Sequence, residues 1–138
     1  MRLFTLYMKV VAIVEKGGPK SFTCRLTERI GKDLAVGYGS SAQEAISDLD
    51  LACSEFAALS GNSIFLELEI EYHFDVGSAF NYYSFLNIEG FSKLTGIKSS
   101  VLRQYASGVR TPNKDKLKII EDSFHEASKK IQCVVLSA

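Results

Sequence analysis

At 138 residues, with 46% apolar and 23% charged side chains, the chain suffices for one or two small domains with a modest core. No apolar run reaches the roughly 18–20 residues that cross a bilayer, and Met1-Arg2-Leu3-Phe4-Thr5-Leu6 lacks the apolar stretch of a signal peptide, so no membrane segment and a cytoplasmic location are expected. The net charge of zero hides an asymmetry: residues 1–80 carry 7 basic and 11 acidic residues, a balance of −4, and residues 81–138 carry 9 and 5, a balance of +4.

The chain opens on two apolar alternations. Met8, Val10, Ala12 and Val14 line one face of a first strand, with Val11 and Ile13 making the other face partly apolar. Lys16-Gly17-Gly18-Pro19 is a turn signal, and beyond it Phe22, Cys24 and Leu26 alternate with Thr23, Arg25 and Thr27, which predicts a hairpin. A short third strand is expected near Leu34–Tyr38. Ser41-Ala42-Gln43-Glu44 is a capping-box pattern, in which the serine accepts from the third helical amide and the glutamate reaches back. Behind it Ala42, Ala45, Ile46, Leu49, Ala52, Cys53 and Phe56 keep helical spacing until Gly61-Asn62. The cleanest alternation then runs from Ile64 to Asp75, with Leu66, Leu68, Ile70, Tyr72 and Phe74 on one face and Glu67, Glu69, Glu71 and His73 on the other. Val76-Gly77-Ser78 reads as a boundary. The expected fold class is α+β: a β-β-β-α-β domain over residues 1–76, one helix on an antiparallel sheet, followed by an all-α domain over 77–138. Cys24, Cys53 and Cys133 form no Cys-x-x-Cys pair and lie among apolar residues, so buried small hydrophobes are expected rather than ligands or nucleophiles.

In the basic half Asn87 can cap a short helix, Ile88–Thr95, that directs Phe91 and Leu94 inward. Gly96 supplies a turn and Ile97 plugs the angle between two helices. Ser99 or Ser100 caps the next helix, where Leu102, Tyr105 and Ala106 share one face and Gly108 ends the run. The last helix starts from Thr111 with Pro112 at its first position, or from Asn113. Leu117, Ile120, Phe124, Ala127 and Ile131 form its apolar stripe. The tail Ile131–Leu136 is apolar and β-prone, so its burial needs a partner, either the domain itself or a second protomer.

The segment from Gly96 to Pro112 resembles the helix-turn-helix signature of the Cro and phage-repressor superfamily: a glycine opens the turn, two small polar residues start the second helix, and a glycine then a proline close it. A recognition helix buries one face and offers polar or cationic groups to the major groove. Ser99, Ser100, Arg103 and Gln104 are the candidates for reading base edges, since arginine suits guanine and glutamine suits adenine. Lys93, Lys98, Arg110 and Lys114 are the candidates for phosphate contacts, which position without reading sequence.

The segment Val36–Leu49, with its Gly-x-Gly turn, capping serine and Glu-Ala at the helix start, resembles HicB-like antitoxins. At Thr27-Glu28-Arg29-Ile30-Gly31 the chain departs from the Pro-Asp-x-Pro-Gly segment common in that family. The resemblance implies a partial RNase H-like front domain that binds a small basic HicA-like toxin ribonuclease. It also implies a rear domain that represses the operon by binding operator DNA as a homodimer. The carboxylate row Glu67, Glu69 and Glu71 is the candidate partner-binding surface, by electrostatic steering. The competing expectation is a stand-alone repressor whose front domain dimerises or binds a small ligand. No catalytic group, metal site or cofactor is expected. The three glutamates stand in a row ~7 Å apart rather than clustered around two metal ions, and His73 and His125 are far apart in the chain.

Overall fold

The computed structural model describes residues 7–138, so Met1–Leu6 lie outside the described residues. The chain forms two compact units, one ending at Tyr83 and the other spanning Ser84–Ala138.

The first unit is a four-stranded sheet with a helix on one face. Strands β1 (Met8–Lys16), β2 (Phe22–Leu26), β3 (Val36–Gly39) and β4 (Leu68–Phe74) lie in the order β3-β2-β1-β4. The hairpin is as expected, with Ala12 opposite Leu26 and Val14 opposite Cys24. The sheet is not antiparallel throughout: β4 runs parallel to β1, in the register Val10–Ile70 and Val14–Phe74. The cause is α1 (Ala42–Ser60), which crosses the sheet between β3 and β4 and carries the chain back along its length. The strand expected from Ile64 begins only at Leu68, because Asn62 Oδ1 accepts the Ile64 N–H at 3.2 Å and starts a 3-10 turn over Ser63–Leu66. That turn buries Phe65 against Phe56, ring centroids 5.4 Å apart, and leaves Leu66 exposed.

The core is the sequence alternation made solid. Val10, Ala12, Val14, Phe22, Cys24 and Leu26 from the strands meet Ala45, Ile46, Leu49 and Cys53 from α1. Ser41 Oγ accepts the Glu44 N–H at 3.1 Å, as a capping box requires, but the Glu44 carboxylate reaches back to Ser40, not Ser41. It takes both the Ser40 amide and hydroxyl, and that hydroxyl holds the Glu44 carboxyl below its ordinary range. Burial pushes the Cys24 thiol up to about 12, with Asp50 adding to the effect.

The expected boundary at 76/77 moves to 83/84. Val76–Tyr82 is a further helix, α2, with Val76, Gly77 and Ser78 buried. Asp75 starts it by accepting the Ser78 N–H at 2.8 Å, and its second oxygen takes the Lys16 N–H at 3.0 Å. Ser78 Oγ donates to the Val14 carbonyl at 2.7 Å, which ties α2 to β1.

The second unit has three helices: α3 (Ile88–Thr95), α4 (Ser99–Ser107) and α5 (Lys114–Gln132). Phe91, Ile97, Leu102, Tyr105 and Ile120 are buried, and the Phe91 and Phe124 rings stand 4.8 Å apart. Asn113, not Thr111, starts α5, its Oδ1 accepting the Lys116 N–H at 2.9 Å. The predicted stripe on α5 is only partly covered, with Leu117 42% and Ile131 54% exposed. No strand forms at the tail: α5 runs through Gln132, and Val134, Val135 and Leu136 are exposed. Among the described residues no helix is long and apolar enough to cross a membrane.

Candidate nucleic-acid interface

Polar side chains close the start of α3 and the turn that follows it. Asn87 Oδ1 accepts the Gly90 N–H at 2.6 Å and starts α3. Gly96 ends it at φ +73°, the left-handed region where a side chain is strained. Thr95 Oγ1 accepts the Ile97 N–H at 3.1 Å, and Ser92 Oγ donates to the Ile97 carbonyl at 2.6 Å. Both polar groups of Ile97 are thereby satisfied while its side chain, 5% exposed, fills the angle between the helices.

The start of α4 differs from expectation. Lys98 occupies the cap position and makes no side-chain cap, and Ser99 and Ser100 are the first two helical residues. Their hydroxyls are consequently not spent on capping α4. Leu102 and Tyr105 are buried, Ser99 is half-buried, and Ser100, Arg103 and Gln104 are exposed. At about 100° per residue these four candidates cover an arc of roughly 140°, opposite Leu102 and Tyr105. One helix therefore presents all four base-reading candidates together.

The cationic candidates surround that arc in sequence and are all exposed: Lys93 near the end of α3, Lys98 in the turn, Arg110 after α4, and Lys114 opening α5. None of the four enters an ion pair among the described residues, whereas Lys118 and Lys130 are engaged by Asp122 and Glu126 within α5. The Arg110 guanidinium lies 5.9 Å from the centre of the Tyr105 ring, a cation–π seat that orients it at the end of α4.

One participant was not legible as a site residue. Glu89, in the first turn of α3, is bonded to Arg103 of α4. Arg103, then the Ser99 hydroxyl and the charge of Lys93, hold the Glu89 carboxyl below the usual carboxylate range. The available signal was its isolation: Glu89 is the one acidic residue between Asp75 and Asp115.

The carboxylate row of the first unit is shorter than expected. Glu69 and Glu71 point to the exposed side of β4, but Glu67 precedes the strand, at the end of the 3-10 turn. Lys9 is the register partner of Glu69, and Glu71 Oε1 bonds His73 Nε2 at 2.7 Å. Among the described residues no group of three or more His, Cys, Asp or Glu is placed to hold a metal ion. Compared with protein-family models, curated proteins and solved structures, the chain matches none.

Proposed function

We propose that this chain is a DNA-binding antitoxin and transcriptional repressor of a type II toxin–antitoxin operon. Its second unit reads operator DNA through α4, and its first unit neutralises a small basic ribonuclease toxin. The observation that carries the DNA half is the joint presentation of Ser99, Ser100, Arg103 and Gln104 on one face of α4, with Lys93, Lys98, Arg110 and Lys114 exposed around it. A homodimer fits the exposed apolar groups of α5 and the tail, Leu117, Ile131, Val134, Val135 and Leu136. Its two recognition helices would enter successive major grooves about 34 Å apart. The toxin half rests on the resemblance of Val36–Leu49 to HicB-like antitoxins and on the mixed sheet with its single crossover helix, which suits a partial RNase H-like domain.

A stand-alone repressor is the second reading. It is favoured by the departure at Thr27–Gly31 and by the reduction of the acidic row to Glu69 and Glu71. A neighbouring short reading frame for a basic protein, and co-expression with its product, separate the two; absence of such a frame supports the repressor. A stable complex that suppresses ribonuclease activity supports the antitoxin, and independent purification of the two supports the repressor.

The DNA half is tested by contrast between Arg103→Ala and Lys98→Ala. The first should reduce preference for the operator over a scrambled duplex by one to two orders of magnitude. The second should weaken both duplexes alike and reduce the salt slope by about one unit. Equal effects of the two substitutions contradict the assignment.

A further inference from the structure

Glu89 stands where a carboxylate is costly for a DNA-binding surface. The segment from Val76 to Lys114 holds Lys93, Lys98, Arg103, Arg110 and Lys114 and no other acidic residue, and a carboxylate among them repels phosphate. Its side chain is 63% exposed and that of Arg103 is 54% exposed. A pair this open to water adds little to folding, so its placement calls for another account. Glu89 also suits the N-terminal turn of α3 through the helix dipole, but that would be met by a carboxylate with no partner on α4. What the dipole does not explain is the bond of this one carboxylate to Arg103, one of the four base-reading candidates, across on α4.

We propose that Glu89 is a positioning and specificity-determining residue: it fixes the Arg103 guanidinium in the pose that reads a base edge and withholds it from phosphate. The inference rests on reading α4 as the DNA-facing helix. A guanidinium has five donors, and the bond to Glu89 engages Nη2. Donors of the fork therefore remain for a guanine edge while the carboxylate limits the rotamers of the arginine. Released from Glu89, Arg103 becomes a long, mobile cation among other cations, able to bond any phosphate in reach. Affinity for arbitrary DNA then rises and discrimination falls.

The test is in vitro selection from a randomised 20-base-pair duplex pool with the wild-type chain, Glu89→Gln, Glu89→Asp and Arg103→Ala, each checked for an unchanged melting temperature. Affinities for the selected duplex and a scrambled one are then measured across a salt series. Glu89→Gln should lose preference at one base pair, the same one lost in Arg103→Ala, with about a tenfold fall in the ratio of specific to scrambled binding. It should bind the scrambled duplex more tightly, with a salt slope steeper by about 0.9. Glu89→Asp, which keeps the charge, should restore part of the preference, and Glu89→Gln should change nothing further in an Arg103→Ala background. If the wild type selects a sequence and Glu89→Gln selects the same one with an unchanged salt slope, the positioning role is overturned and the DNA-binding reading stands. If the wild type selects no sequence, both fall.

Discussion

Gly37 of β3 lies so close beneath the Ala45 carbonyl of α1 that a Cβ on the glycine would overlap that oxygen and the Leu49 amide nitrogen. Gly39 meets the Glu44 Cβ and the Ala45 nitrogen in the same way. The Gly-x-Gly pattern is thus a seat for the helix, not a phosphate-binding loop, and Asp48 Oδ2 completes it by accepting the Tyr38 N–H at 2.7 Å. Because the obstacles are backbone atoms, α1 itself would have to shift to admit a methyl group. Gly37→Ala should therefore cost at least about 1–3 kcal/mol in urea unfolding. Gly18→Ala, in the open turn of the hairpin with no atom nearby, should stay within ~0.5 kcal/mol. Similar stabilities for the two variants would contradict the close seat.

Asp75 joins α2 to the sheet, and its removal should be felt in the first unit. One oxygen takes the Ser78 amide and the other takes the Lys16 amide of β1. Asp75→Ala deletes a helix cap and leaves a strand-end donor without its acceptor, at a cost of about 2 kcal/mol in chemical denaturation. Asp75→Asn, which retains one carbonyl oxygen, should lose about half as much. An Asp75→Ala chain as stable as the wild type would detach α2 from the first unit and restore a boundary near residue 76.

How far the fold could be read from the residues follows from whether its causes were local. The starts of α1 and α3 were legible because Ser41 and Asn87 act within one turn of themselves, and Gly96 and Gly108 because left-handed backbone favours glycine. The direction of β4 was not legible, since alternation gives a strand its faces and says nothing of its sense. That sense comes from α1 crossing the sheet. Leu66 fitted the alternation but is 62% exposed, because Phe65 takes the core position one residue earlier. The helix α2 was hidden by Gly77-Ser78, which looks like a linker in sequence, yet Gly77 is buried and Ser78 is bonded to β1. At the candidate interface the exposed face of α4 followed from its period. The Glu89–Arg103 pair did not, because its members are 14 residues apart on different helices.

The cysteines offer a check on the core that needs no mutation. Cys24 and Cys53 are buried, and burial raises both thiols, that of Cys24 to about 12, whereas Cys133 is exposed at the end of α5. The thiolate is the reactive form, so a thiol raised this far is inert near neutral pH. Iodoacetamide at pH 8 should modify Cys133 alone in the native chain and all three cysteines in urea, as counted by mass spectrometry. Modification of Cys24 at the rate of Cys133 would mean that the sheet and α1 do not enclose it.

On the proposed reading, α4 and its surrounding cations form a DNA-binding surface. Fluorescence anisotropy with a labelled duplex from upstream of this chain's own gene, titrated at several salt concentrations beside a scrambled duplex, tests that surface. Tighter binding of the upstream duplex is predicted. Its affinity should fall linearly on logarithmic axes with a slope of about −3 to −4 per protomer, as contacts from Lys93, Lys98, Arg110 and Lys114 would release counterions. Equal affinity for the two duplexes, or binding that does not respond to salt, would contradict it.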